Sequence, residues 1–327
     1  MHRNQLIIDE SVGANTTIVR AQSSGKSGAA ECPVCGSGAA RQSVMVQGPS
    51  RKLLRCRKCG LRYLFPMPTE EEMAHCFATR DKGSTQPAEA RSAGLRHHVL
   101  SELSSYIHRI LPAGGSILDV GCAVGYFLGS FFSSGWNRHG VELSAPRAER
   151  ARSRGIDTYV GDTRSARYKS AAFDVITVLD TLYYFPDPCR ELREFSRILK
   201  PGGWLLIEAP LAQTRLWRLK WCRGKFETTA LGSPVPGDHL YFFTPESLSR
   251  ALLQCGFSVY DVLPLPADDS GDGLRKFLYR AYSACSSAVW RASRRRIQLA
   301  PRFLIVARPG SNNRPDSTTH SAPVKAD

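Results

Sequence analysis

The sequence predicts an α/β protein, a doubly wound and mostly parallel seven-stranded sheet with a small metal-binding module ahead of it. Three observations predict this. Strand and helix patterns alternate between residues 95 and 308, and the first strand runs into a glycine-containing turn. Acidic residues fall at the ends of successive strands, where ligands of such sheets bind. Two CxxC pairs precede all of this, Cys32/Cys35 and Cys56/Cys59, with 20 residues between them.

The chain has 327 residues, of which 42% are hydrophobic and 22% charged, so a sizeable core can be buried and wholesale disorder is excluded. There is no run of about 18 apolar residues and no apolar leader, which predicts a cytoplasmic protein. The net charge of +15 is unevenly spread. Residues 1–113 carry +6, residues 114–210 only +1, and residues 211–327 +8. The excess therefore lies in the flanks and is not evidence of a nucleic-acid active site.

Residues 1–30 are rich in Ser, Gly, Ala and Thr without a period and read as a disordered tail; residues 309–327 read the same way. Residues 31–66 form the metal module. Each CxxC is followed by glycine (Gly36, Gly60), which permits the positive φ of a knuckle turn. Cys32, Cys35, Cys56 and Cys59 would close a tetrahedral, structural Zn2+ site, with SVMVQ and KLLRC as strands between the knuckles: a zinc ribbon. Coincidental thiols or a redox CxxC are the alternatives. Its cations Arg51, Lys52, Arg55, Arg57 and Lys58 have two equal readings, contact with an anion or offset of the zinc–thiolate charge.

Residues 67–94 read as a linker, and a helix is expected over 95–111, where Val99, Leu103, Tyr106 and Ile110 recur at helical spacing. Ser116–Val120 is the first strand, Gly121–Gly125 the turn, and a helix begins near Tyr126. HGVEL ends the second strand on Glu142, 23 residues after Asp119, where an acid typically accepts from a ribose diol. DTYV leads to Gly161-Asp162, and FDVITVLD ends on Asp180. A helix over about 189–199 and the turn LKPGG then deliver a fifth strand. FSVYDVLPL and RFLIVAR complete the sheet, the latter antiparallel. Between them and the fifth strand, Thr244 caps a helix with Pro245 at its first position, and Gly256 ends it.

The set LDVGCAVGYF, VELS, GD, FDVITVLDTLYYFPDP and LKPGGWLLIEAP resembles the class I S-adenosylmethionine-dependent methyltransferases, a Rossmann-like fold, over about residues 95–308. The ribbon followed by GLRYLFPMPTEEEM resembles a subset of bacterial members that act on small molecules or saccharides in biosynthesis. The resemblance implies S-adenosyl-L-methionine as cofactor. It implies that Asp119, Gly121, Cys122 and Gly125 surround its methionine end, that Glu142 and Leu143 meet the ribose, and that Asp162 and Thr163 meet the adenine. Asp180 and Thr181 would line the junction with the acceptor. A plain packing role for Cys122, a cap for Asp119 and a turn role for Asp162 are the structural alternatives. Where relatives read LEHLPDP, this chain has LYYFPDP, with Tyr183 and Tyr184 in place of Glu-His. In HLYFFTPESL, which also recurs in these enzymes, His239 is the best candidate general base, with Tyr184 as a second catalytic candidate; packing of the loop is the equal alternative for His239.

Two insertions are expected, 211–236 and 266–300. The first carries RLWRLKWCRGKF. In the second, Leu274, Leu278, Ala281, Cys285, Ala288 and Ala292 form one helical stripe, with Arg291 and Arg294–Arg296 at its end. Packing on the domain, contact of 273–296 with an anionic membrane surface at the inner face of the membrane, and contact with RNA are its three readings. The favoured function is methyl transfer by in-line displacement to a small-molecule, saccharide or lipid-linked acceptor. The alternatives are an RNA methyltransferase and a non-catalytic scaffold.

Overall fold

The computed structural model describes residues 31–47, 50–83, 86–212, 238–265, 273–293 and 299–310. The reading of a tail at 1–30, that of the tail at 309–327 from residue 311 onward, and that of the RLWRLKWCRGKF insertion lie outside the described residues; Pro309 is not tail but the last residue of a strand, and Gly310 N donates to Gly256 O at 2.7 Å.

Seven strands form the main sheet: β4 (Gly115–Val120), β5 (Trp136–Glu142), β6 (Asp157–Val160), β7 (Phe173–Leu179), β8 (Leu199–Pro210), β10 (Phe257–Leu265) and β11 (Arg302–Pro309). Their order is β10-β11-β8-β7-β4-β5-β6. β6, β5, β4, β7 and β8 run parallel, and β11 is antiparallel to both neighbours. The chain starts in the middle at β4, works outward to β6, then returns through β7 to the other side. That order reversal opens a crevice at the carboxyl ends of β4 and β7. The central strands are buried on both faces, as helices cover both, so β4, β7 and β8 read as near-continuous apolar runs.

Three helices set the site. α3 (Tyr126–Phe131) begins at Gly125. α4 (Ala145–Ser153) follows β5 at once, and α5 (Pro188–Ile198) is capped by Asp187, whose carboxylate accepts from Arg190 N at 2.9 Å. α6 (Pro245–Gln254) has the expected Thr244 cap, completed as a reciprocal box with Ser247.

Residues 67–94 are not a linker. α1 (Glu70–Gly83) fills half of them, and α2 (Gln86–Ile110) begins nine residues ahead of the expected start. α1 has little apolar periodicity of its own; it is held by Met73 and Cys76, both buried in the core that the ribbon shares with the main-sheet domain. Tertiary packing overrides a weak local signal here.

The ribbon is also less separate than its sequence implies. β1 (Gln42–Gln47), β2 (Lys52–Cys56) and β3 (Arg62–Phe65) form an antiparallel sheet, and β9 (Tyr241–Phe242), from the main-sheet domain, pairs with β3. Tyr63 stands opposite Tyr241, and Leu64 N donates to Leu240 O at 2.9 Å. Val34, Leu54 and Leu61 share one apolar cluster with Tyr241, Phe243 and Leu252.

α7 (Leu274–Ala292) occupies the second insertion. Of its expected stripe, Ala281, Cys285, Ala288 and Ala292 are exposed, while Ser286 and Trp290, off the stripe, are buried. Phe277 is 68% exposed. No helix among the described residues is long and apolar enough to cross a membrane.

Candidate active site and metal centre

The metal centre forms as the spacing predicts. The Sγ atoms of Cys32, Cys35, Cys56 and Cys59 all lie within 4.8 Å of one another, with Cys32–Cys59 at 3.4 Å and Cys35–Cys56 at 3.6 Å. Zn–S bonds of about 2.3 Å in a tetrahedron put thiolates about 3.8 Å apart, so the donor set fits a closed Zn2+ site. Because the ribbon shares its core with β9, the metal would stabilise more than the ribbon. Cys32→Ser is expected to release the metal and to lower the melting temperature of the whole chain. Metal analysis with thermal unfolding checks this; a wild-type protein free of zinc would remove the assignment.

At the crevice, the β4–α3 turn is shaped by two glycines. Gly121 has φ +75°, and a Cβ there would stand 2.6 Å from Thr181. Gly125 has φ +71°, and its Cβ would meet Ile156 at 2.4 Å. The turn lies close against its neighbours and presents bare backbone. Glu142, at the end of β5, reaches back to it. Its Oε2 accepts from Ala123 N at 2.9 Å and its Oε1 from Ser144 N at 2.9 Å. Two amides fix the carboxylate, and a carboxylate held at this strand end is an acceptor suited to a diol. Leu143 beside it is 55% exposed.

Asp162 folds onto its own turn: Oδ1 accepts from Ser165 N and Ser165 Oγ, each at 2.6 Å. The turn role thus takes one oxygen of this carboxylate. Thr163 is fully buried, and its Oγ1 has no hydrogen-bond partner. A buried orphan hydroxyl beside the expected adenine end fits a ligand that would satisfy it.

Cys122 departs from the cofactor role. Its side chain is buried in the core against Gly140, and burial pushes its thiol well up, so it is a packing residue. Asp119 is 3% exposed and takes the Thr177 hydroxyl at 2.7 Å. Burial pushes its carboxyl up to about 7 against the Thr177 bond, which lowers it. The native group therefore keeps its proton to about pH 7, whereas an unfolded Asp loses it near ~4. Between those values the native state binds more protons, so this residue makes stability fall as pH rises. Asp119→Asn is expected to remove that slope between about pH 4 and 7; urea midpoints across the range check it.

Sequence reasoning missed the charged cluster behind Asp180. Arg96 of α2 and Arg302 of β11 both pair with Glu208 of β8 and with Asp180, Arg96 reaching Asp180 at 3.6 Å. Tyr183 OH donates to Asp180 Oδ1 at 2.6 Å. Glu208 is fully buried. Burial works to raise the Asp180 carboxyl, but Arg302 and Arg96 overcome it and hold the group far below the usual carboxylate range. The one signal in the sequence is a lone Glu inside the apolar run WLLIEAP. Thr181 sits against Gly121, its hydroxyl donating to Leu179 O at 2.9 Å.

His239 is 3% exposed, stacked on Tyr183 at 3.9 Å between ring centroids and on Phe242 at 5.8 Å. Rings pack against it on more than one side, the geometry that the packing reading expects. Tyr184 is half-buried at the edge of the same stack, against Phe77. The structure thus brings Asp119, Gly121, Gly125, Glu142, Asp180 and Thr181 to one crevice, with the aromatic stack as its rim.

The family described as a methyltransferase domain matches residues 95–262. The chain is 34% identical over 97 residues to a Bos taurus protein named probable tRNA methyltransferase 9B, covering 29% of this chain and 21% of that one. It is 28% identical over 163 residues to the ubiquinone biosynthesis O-methyltransferase of Xanthomonas axonopodis pv. citri, covering 47% of this chain and 67% of that one. A solved S-adenosylmethionine-dependent methyltransferase from Thermotoga maritima aligns over 72% of this chain and 99% of its own, with 22% identity and a TM-score of 0.48. The chain spans about a fifth of the first relative and about two thirds of the second. The family match takes in just over half of the 327 residues, and the chain belongs to the methyltransferase-domain family, the class I S-adenosylmethionine-dependent methyltransferases.

Proposed function

We propose that the protein transfers a methyl group from S-adenosyl-L-methionine to a small-molecule, saccharide or lipid-linked acceptor by in-line displacement. The observation that carries the reading is the β4–α3 turn with positive-φ glycines, tied by Glu142 to the end of β5. The cofactor supplies a methyl group already activated by the sulfonium charge, so the chain's own task is alignment. Glu142 and the turn backbone would hold the ribose and methionine ends, with Thr163 and the remaining oxygen of Asp162 at the adenine. Asp180, kept ionised by Arg96 and Arg302, would accept a hydrogen bond from the acceptor's O–H or N–H and orient it. Its strongly depressed pKa makes it a poor proton acceptor, which suits an acceptor that gives up its proton to solvent. The exposed Phe277, Ala281, Cys285 and Ala288 of α7, with arginines following them in the sequence, support contact with a lipid-linked substrate at an anionic membrane surface.

Incubation with methyl-labelled S-adenosylmethionine and cell extract, fractionated into small molecules, lipid and RNA, tests this. Label in the first two fractions is expected. The relation to a protein named as a tRNA methyltransferase and the basic flanks favour a second reading, methylation of RNA, which label confined to RNA would establish. Failure of calorimetry to detect cofactor binding would leave only a scaffold.

A further inference from the structure

One row of residues crosses the ribbon sheet from edge to edge. Ser43 stands opposite Arg55, Arg55 opposite Arg62, and Arg62 opposite Phe242. Directly opposed residues share a face, with Cβ atoms about 5 Å apart, so two guanidinium side chains stand side by side between a hydroxyl and an aromatic ring. Like charges in that position are destabilising.

No carboxylate among the described residues forms a salt bridge with the pair. Arg55 is exposed, and Arg62 is half-buried with Nε and Nη1 sealed from solvent and without hydrogen-bond partners. Burial lowers the pKa of Arg62, Arg55 lowers it further, and Glu246 on α6 offsets part of this without bonding to it. The zinc thiolates do not supply the missing anion: strand alternation projects Cys56 from the face opposite to Arg55. More cations gather nearby. Arg57 and Lys58 are exposed in the second knuckle, and Arg250 Nη1 donates to Lys58 O at 2.6 Å.

The row also runs up to the catalytic rim. Phe242 stacks on His239, His239 on Tyr183, and the Tyr183 hydroxyl bonds Asp180. An anion seated on Arg62 would belong to a molecule whose other end lies near the acceptor crevice.

We propose that Arg55 and Arg62 form a receptor for a phosphate or diphosphate group carried by the methyl acceptor. Guanidinium groups take phosphate oxygens through paired, charge-assisted hydrogen bonds; the exposed Arg55 offers such donors to solvent, and the half-buried Arg62 guanidinium beside it adds a second positive charge. Two arginines at one point suit a single phosphate or diphosphate, whereas a nucleic-acid strand needs a track of cations and stacking rings. That the phosphate is on the acceptor rests on the methyl-transfer reading; that the site binds an anion does not.

Calorimetric titration of the full, zinc-loaded chain with inorganic pyrophosphate at low ionic strength tests the site. The wild type is expected to bind. Arg62→Gln and Arg55→Gln should each weaken binding by about tenfold or more. Lys52→Gln, on the opposite face of β2, should stay within about twofold. Zinc content and melting temperature verify folding, and the exposed Arg55 position keeps the test open if Arg62→Gln fails to fold. No binding by the wild type, or equal loss in Lys52→Gln, would overturn the proposal. So would Arg62-dependent binding of a single-stranded RNA without binding of pyrophosphate. A nucleoside diphosphate in solution and an isoprenoid diphosphate in neutral vesicles distinguish a soluble from a lipid source, and Arg62-dependent binding of either supports the site. S-adenosylmethionine titrated into the same variants should bind as in the wild type. Its failure to bind the wild type would refute methyl transfer and leave the pyrophosphate result standing.

Discussion

Replacing Glu142 by alanine is expected to weaken S-adenosylmethionine binding by about 100-fold or more while the chain stays folded. The magnitude follows from what the carboxylate does twice over. The carboxylate would accept hydroxyls of a ribose, and hydrogen bonds to a charged acceptor contribute about 1.5–3 kcal/mol each. Its bonds from Ala123 N and Ser144 N also hold the glycine turn against the end of β5. Alanine removes both functions, so the turn loses its tether as the ligand loses its partner. The fold should survive, because neither bond lies in the core and Glu142 is 9% exposed at a strand end. Calorimetry with the cofactor reads the affinity, and circular dichroism the fold. Affinity unchanged within about threefold would refute the ribose assignment.

The second large effect concerns stability. Glu208→Gln is expected to cost about 3–5 kcal/mol, a large part of the whole for a typical domain. The substitution keeps the shape but leaves Arg96 and Arg302 facing one carboxylate, Asp180, inside a site where Glu208 is fully buried. Burial itself is not what this cluster gains from. The charges cost a great deal to desolvate, and only their mutual pairing offsets it. The double replacement Glu208→Met with Arg302→Met should therefore cost less than either single change, because it removes both members of a pair. Denaturant unfolding of the three variants checks this. A loss below about 1 kcal/mol in Glu208→Gln would mean that water or relaxation compensates the arginines.

Much of the cofactor crevice was legible before any coordinates. Gly121, Gly125 and Glu142 lie where strand-end reasoning places them, because those positions depend on a local pattern: an apolar run, a turn that needs positive φ, and an acid at the next strand's tip. The capping box of α6 is local in the same way. What was not legible depends on contacts between distant residues. Arg96, Glu208 and Arg302 come from a helix and two strands more than 90 residues apart in sequence, and each by itself looks like a surface charge. For His239 the sequence leaves a general base and loop packing equal, and its stack on Tyr183 and Phe242 is visible only in three dimensions.

The zinc ribbon and the doubly wound sheet were determined by the sequence alone, since CxxC spacing and strand–helix alternation act over a few residues at a time. The opening expectation of a seven-stranded, mostly parallel sheet holds, including the antiparallel β11. Only the tertiary structure decided that the ribbon is continuous with the catalytic half. The pairing of β3 with β9 joins segments about 180 residues apart, through two residues of strand that carry no periodic signal. Backbone hydrogen bonds are indifferent to side-chain identity, so a sheet can extend across domains with nothing in the sequence to announce it. The direction of the α7 stripe was decided in the same way: its period is a property of the helix, but which face meets the core depends on what packs beside it.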